Sequence, residues 1–337
     1  MNTHKCGKHS FIPDPMPVIV AWSSVAGKRE SEGPLSRYFD ITVKDPYFGE
    51  KTWEQAEKRC QQLALNMLMQ KASISTKDIG LVFSGDLLNQ CIGSSFTLRN
   101  TGIAHLGLYG ACSTMAESLL MATMAVSGGF SDNVVAMTSS HFASSERQYR
   151  FPLGYGGQRT PTAQWTVTGS GAALVCAEGT GPRIGACTVG TVTDLGICDA
   201  NNMGAAMAPA AFETIRAHFE DTNTNADDFD LIVTGDLGQL GKELLLTIGR
   251  KAGLELGGKL TDCGTLVFDV LKQDVHSGGS GCGCSAITLC GYLLNQLNAG
   301  KLKRILFCGT GALLSPTSSQ QGLPVPGICH AVTIMGG

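Results

Sequence analysis

Two stretches of this chain are near-copies of each other. DIGLVFSGDLLNQ begins at Asp78 and DFDLIVTGDLGQL at Asp228, so Ser84-Gly85-Asp86 lies 150 residues before Thr234-Gly235-Asp236. Each reads as a buried strand ending in a Gly-Asp turn. A repeat of this kind restricts the fold more than any local propensity does, because both copies must bury equivalent faces.

The surroundings repeat as well. An amphipathic helix precedes each strand. The first follows a Thr52-x-x-Gln55 capping box and sets Trp53, Ala56, Cys60, Leu63 and Met67 on one face; the second opens near Pro209 and carries Ala211, Ile215 and Phe219. Further on, GACSTMAESLLMATMAVSGG and GCSAITLCGYLLNQLNAGK align Cys112 with Cys284 and Gly128 with Gly300, now at an offset of 172, which leaves about 22 extra residues between strand and helix in the second copy. Strands alternating with helices imply parallel or mixed sheets covered by helices, here as a layered α/β molecule with two pseudo-twofold-related halves. The halves are expected at 15–180 and 181–337. A long insertion at 141–168 is the expected place for a binding surface.

The 337 residues are 43% hydrophobic and 16% charged, enough for a large core. The formal charge of -3 has no concentrated basic surface beside it, and so gives no reason to expect nucleic-acid binding. Thirteen cysteines, an odd number inside apolar segments such as ALVCAE and RILFCG, read as reduced core thiols in a cytosol-like compartment. The early apolar piece MPVIVAW is too short and too proline-bounded for a signal peptide, and no run reaches the ~18 apolar residues of a membrane span. Any work at a membrane is expected to proceed by docking on another component.

Cys112 follows Gly110 and Ala111 where a short strand turns into a helix, a place at which several enzyme folds carry a nucleophile. With the duplicated halves, the GCGCSA turn of the second copy and the glycine-rich TVTGSGAALV segment, the chain resembles the thiolase superfamily. That resemblance implies a thiolase-like five-layered αβαβα sandwich. Within the superfamily, the joint presence of GPLSRYFD, GDLLNQ, YGACST, TVTGSGA, MGAAMAPAA, VTGDL, GGSGCGCSA and GTGALLSPTS is similar to a family of stage V sporulation proteins of spore-forming bacteria. The resemblance implies a non-catalytic receptor for dipicolinic acid (pyridine-2,6-dicarboxylate) that serves its uptake into the spore and its release on germination. Whether calcium travels with the ligand is left open. It also implies membrane partners encoded in the same stage V A operon, a peripheral place at the spore inner membrane, and a homodimer as the superfamily's usual assembly.

Catalysis in the superfamily needs more than a thiolate: acid–base partners and an oxyanion hole come from the second half. There this chain offers Asp236 in the TGDLGQ turn, and Ser280 where thiolases place a His; Cys308 lies near the position of an acid cysteine. Asp accepts hydrogen bonds at neutral pH and is a poor oxyanion donor, so no acyl condensation is expected. The cleft is expected to bind a ligand with Cys112, Ser113 and Cys284 at two facing helix starts, together with Asp86, His141, Arg147, Gln158, Asp236 and Ser280. Arg150 and Arg159 are further partners for carboxylates, and His276 is expected at the cleft or its rim. No resident cofactor or metal is expected, since the Cys282-x-Cys284 pair has no matching pair at zinc spacing. The competing reading is a ketoacyl synthase or acyltransferase that forms a thioester at Cys112 with help from Asp236, His141 or His276; a scaffold with a vestigial cleft is a third.

Overall fold

The computed structural model describes residues 5–149 and 159–337. Its strands are β1 (Val18–Ala26), β2 (Leu81–Gly85), β3 (Ala104–Gly107), β4 (Asn133–Ser140), β5 (Gly169–Cys176), β6 (Arg183–Thr188), β7 (Leu231–Thr234), β8 (Leu260–Asp262), β9 (Arg304–Ala312) and β10 (Gly327–Met335). They run in the order β8-β7-β9-β10-β6-β1-β5-β4-β2-β3. Each half of that order mirrors the other. β2 pairs in parallel with β3 and β4, as β7 does with β8 and β9; β5 lies antiparallel between β1 and β4, as β10 does between β6 and β9. The halves join through β6 and β1 at one registered pair, Arg183 with Val18.

The helices are α1 (Trp53–Ala72), α2 (Ile92–Leu98), α3 (Thr114–Ser127), α4 (Phe142–Tyr149), α5 (Met203–Thr222), α6 (Gly238–Lys251), α7 (Cys263–Val267) and α8 (Cys282–Thr288), the last running on to Asn298 through a π-helical turn at Leu289–Leu293. α1 and α2 cover the outer face of the first-half sheet, and α5 and α6 that of the second. α3 packs against both sheets, and α8 packs beside it. The result is the layered α/β molecule expected from the repeat, in the five-layered form that the thiolase resemblance implies. Strands such as β5 and β9 are buried on both faces, which is why they read as continuous apolar runs rather than alternating ones.

Local chemistry shifts several elements from their expected places. Thr52 caps α1, accepting from the Gln55 amide, but the buried stripe is Ala56, Cys60, Ala64 and Leu68, joined by Glu57, Gln61 and Leu65; Trp53, Leu63 and Met67 are only half-buried at its edge. α5 opens at Met203 rather than near Pro209, because Asn202 accepts from the Ala205 amide and starts the helix upstream. Pro209 sits buried within it. Gly129 and Gly300, both left-handed, close equivalent helices, so the second repeat is offset by 171 rather than 172. The insertion is not a plain loop: α4 fills its first part.

β9 approaches the start of α3 closely enough to require glycine. A Cβ on Gly309 would lie 2.6 Å from that of Ala116, and one on Gly311 2.7 Å from the Gly110 carbonyl oxygen. Between them, Thr310 turns the other way and bonds Asp236.

Two buried acids lie under α1. Glu57 accepts from Ser139 Oγ at 3.1 Å and Ser144 Oγ at 2.7 Å; burial, reinforced by nearby Asp86, pushes its pKa up to about 8. The folded protein therefore holds a proton that the unfolded chain releases above about pH 4.5, and stability falls as pH rises from there to about 8. Glu57→Gln, which mimics the protonated acid, is expected to match the parent near pH 4.5 and to exceed it by about 2–4 kcal/mol above pH 8, as read by denaturant unfolding across that range.

Candidate functional site

The turn before α3 is strained where the sequence marked it. Ala111 has φ 52°, a left-handed conformation unusual for a residue with a Cβ, and it delivers Cys112 into a single 3-10 turn leading directly into α3. No side chain caps the start of α3. Cys112, 6% exposed, stands in the wall of a cavity of about 260 Å³.

Both halves build this cavity. The first supplies Cys112, Tyr109 and Leu87, with Ser145, Glu146 and Tyr149 from one face of α4; the second supplies Ser280, Met203 and the run Ala312–Ser315. Its lining mixes the polar Ser145, Glu146, Thr166, Ser280 and Ser315 with the apolar Leu87, Met203, Ala312, Leu313 and Leu314. The Tyr109 and Tyr149 hydroxyls lie 2.9 Å apart, and Tyr149 donates to the Leu87 carbonyl at 2.5 Å. Thr166 Oγ1 donates to Glu146 at 2.8 Å.

Behind Cys112 and Ser280 lies Asp236, fully buried. It accepts from Thr310 Oγ1 at 2.9 Å, the Gly281 amide at 2.9 Å and Ser280 Oγ at 3.2 Å, with the Cys112 thiol beside it. Burial pushes Asp236 up to about 6 against these donors. The thiol responds in the opposite sense to a catalytic cysteine. Burial first, then the charge and hydrogen bond of Asp236, hold Cys112 well above the ordinary thiol range, so it is a neutral S–H at physiological pH.

The remaining expected residues are dispersed. Ser113 is buried and bonds back to the Gly110 carbonyl. Asp86 lies behind Leu87 and ties down its own turn, accepting from Leu88 N, Ser94 N and Ser94 Oγ. His141 is buried with Nε2 on the Pro46 carbonyl, and burial lowers its pKa, which keeps the ring neutral and away from the cavity. Arg147 projects from the outer face of α4 to Glu54 and the Trp53 ring. Arg159 stacks on Trp165, whose face Arg29 also covers. Gln158 and Arg150 lie outside the described residues. Among the described residues no Arg or Lys lines the cavity; Arg147 and Arg159 lie elsewhere.

The second helix start also differs. Gly281, at φ 98°, makes Cys282 rather than Cys284 the first residue of α8, and Cys282 packs against Cys112 and Leu87. Cys284, two residues further along α8, is fully buried. This helix start is already occupied, with the Gly281 amide on Asp236 and the Gly283 amide on Ser140 Oγ. Cys308 sits inside β9 beside Cys329, and His276 pairs with Asp274 away from the cavity. Sequence reading missed Ser145, Glu146 and Tyr149. Their i, i+1, i+4 spacing would have marked a cavity-facing side had HFASSERQY been taken as a helix.

A duplicated α/β sandwich with a cysteine at the start of its central helix is the architecture of thiolase-like proteins, and solved structures agree on the fold. Cerulenin-bound OleA of Xanthomonas campestris matches with a TM-score of 0.61 at 15% identity, covering 96% of this chain and 97% of that one. Human mitochondrial 3-ketoacyl-CoA thiolase matches at 0.59 and 11% (96% and 98%), and 3-oxoacyl-[acyl-carrier-protein] synthase III of Aquifex aeolicus at 0.57 and 13% (95% and 99%). Within that class the chain belongs to the stage V sporulation protein AD family, whose model matches residues 7–335. The stage V sporulation protein AD of Bacillus subtilis (strain 168) is 43% identical over 326 residues, covering 97% of this chain and 96% of that relative.

Asp236→Asn removes the charge that suppresses the thiolate. Cys112 is expected to react with iodoacetamide at least about tenfold faster in this variant at pH 8, with the rate rising at lower pH than in the parent, followed by intact mass against pH.

Proposed function

We propose that this chain is a non-catalytic binding protein for dipicolinic acid, acting in the movement of that compound during sporulation and germination. The observation that carries the reading is the state of Cys112. The nucleophile position is retained in a cavity, yet burial and the nearby Asp236 carboxylate hold the thiol neutral, and among the described residues no imidazole lines the cavity. Asp236, which faces the thiol, is already engaged by Thr310, Ser280 and the Gly281 amide.

The cavity's lining supports an aromatic dicarboxylate: Met203, Leu313 and Leu314 offer apolar surface to a flat ring, and Ser145, Ser280, Ser315 and the tyrosines offer hydroxyls to carboxylates. Among the described residues no three His, Cys, Asp or Glu side chains are grouped to hold a metal ion. Calcium, in this reading, comes and goes as the ligand's own chelated partner. No described helix is long and apolar enough to cross a membrane, and the proposed place at the spore inner membrane is held through membrane partners.

Acyl transfer is the second reading, favoured by the survival of Cys112 in the cavity wall. One experiment separates the two. Calorimetric titration with dipicolinic acid, with and without calcium, is expected to give saturable binding that Leu314→Trp abolishes by filling the cavity. Incubation with an acyl-CoA is expected to leave the mass of the chain unchanged. An acyl adduct on Cys112 with release of thiol would establish the enzyme instead.

A further inference from the structure

Buried hydroxyls in helices ordinarily donate to a carbonyl three or four residues back. Ser118, Thr123 and Ser127 do so here. Ser145 does not. It is 2% exposed, its Oγ has no hydrogen-bond partner, and it stands in the wall of the Cys112 cavity. Other buried side-chain atoms without a partner, such as Glu30 Oε2, His141 Nδ1 and Thr288 Oγ1, lie elsewhere.

The carbonyl four residues back, that of His141, accepts the Ser145 amide at 3.1 Å and has Ser144 Oγ 3.2 Å away, and the Ser145 hydroxyl makes no bond to it. Ser144 is turned about 100° away around the helix and settles its own hydroxyl on Glu57. Other donors around the cavity are committed: Ser280 to Asp236, Thr166 to Glu146, and Tyr149 to the Leu87 carbonyl. Ser145 is left as a buried donor in the cavity wall with no acceptor among the described residues.

We propose that Ser145 is a ligand-binding residue whose hydroxyl donates to a carboxylate oxygen of the molecule seated against Cys112. This assignment rests on the reading of the cavity as a dicarboxylate site. It gives α4 a direct part in recognition. The fold tolerates an unsatisfied hydroxyl at this position because the ligand satisfies it.

The test uses the full chain with Ser145→Ala and, as control, Ser144→Ala, each titrated with dipicolinic acid by calorimetry and melted without ligand. Ser145→Ala is expected to bind about tenfold more weakly, while its melting temperature without ligand is unchanged or higher. Ser144→Ala, which breaks the bond to Glu57, is expected to melt earlier and to keep its affinity within about twofold. A Ser145→Ala variant with the affinity of the parent, or one that melts earlier without ligand, overturns the assignment. A parent chain that shows no dipicolinic acid binding refutes the dicarboxylate reading itself, and the role of Ser145 falls with it; that result is distinct from a parent that binds and a Ser145→Ala variant that binds equally well.

Discussion

The cavity depends on the buried carboxylate of Asp236. It gathers donors from two places, Thr310 of β9 and the Ser280–Gly281 turn ahead of α8, and lies against Cys112 ahead of α3. These come from both halves of the molecule, so one side chain fixes how the two central helix starts face each other. A carboxylate sheltered this completely is costly unless it is hydrogen-bonded, and here three donors meet it. The same group helps to hold the Cys112 thiol neutral.

The duplication shows how Asp236 became available. In the first half, Asp86 closes the strand-end turn and ties it to the start of α2 through Ser94. In the second half the corresponding task falls to Asp262 on the neighbouring strand β8, which accepts from the amides of Leu237, Gly238 and Thr265 and from Thr234 Oγ1. Asp236 is thereby free of its own turn and directed at Cys112. Two aspartates at identical places in the repeat thus perform different work.

That division marks the limit of what the sequence made legible. The duplicated strands, the layered architecture and the place of Cys112 were readable, because strands buried on both faces leave unbroken apolar runs and the glycines around Cys112 and β9 answer a close approach that no other residue allows. The roles of Asp86 and Asp236 were not, since their flanking residues match and only the partner strand tells them apart. Cys284 was preferred to Cys282 because the offset of 172 is two residues too long at the start of α8 and one too long at the helix end, the difference being the extra residue that a π-helical turn accommodates. Arg147 looked like a carboxylate clamp until α4 placed it on the outer face, next to Glu54. Glu57 and Gln61 were hidden for a simpler reason: polar residues on an apolar stripe look like solvent-facing ones until the serines and carbonyl that meet them are known.

The seam between the halves has a thermodynamic consequence. The sheets meet at one registered pair, Arg183 with Val18, while the cavity draws its walls from both sides. A molecule lodged there touches both halves at once and binds only when they are assembled. By mass action it adds RT ln(1 + [L]/Kd) to the free energy of unfolding, about 4 kcal/mol at a thousandfold excess over Kd. The heat resistance of the protein is then a property of its surroundings as much as of its sequence, greatest where the ligand is concentrated and falling as the ligand disperses.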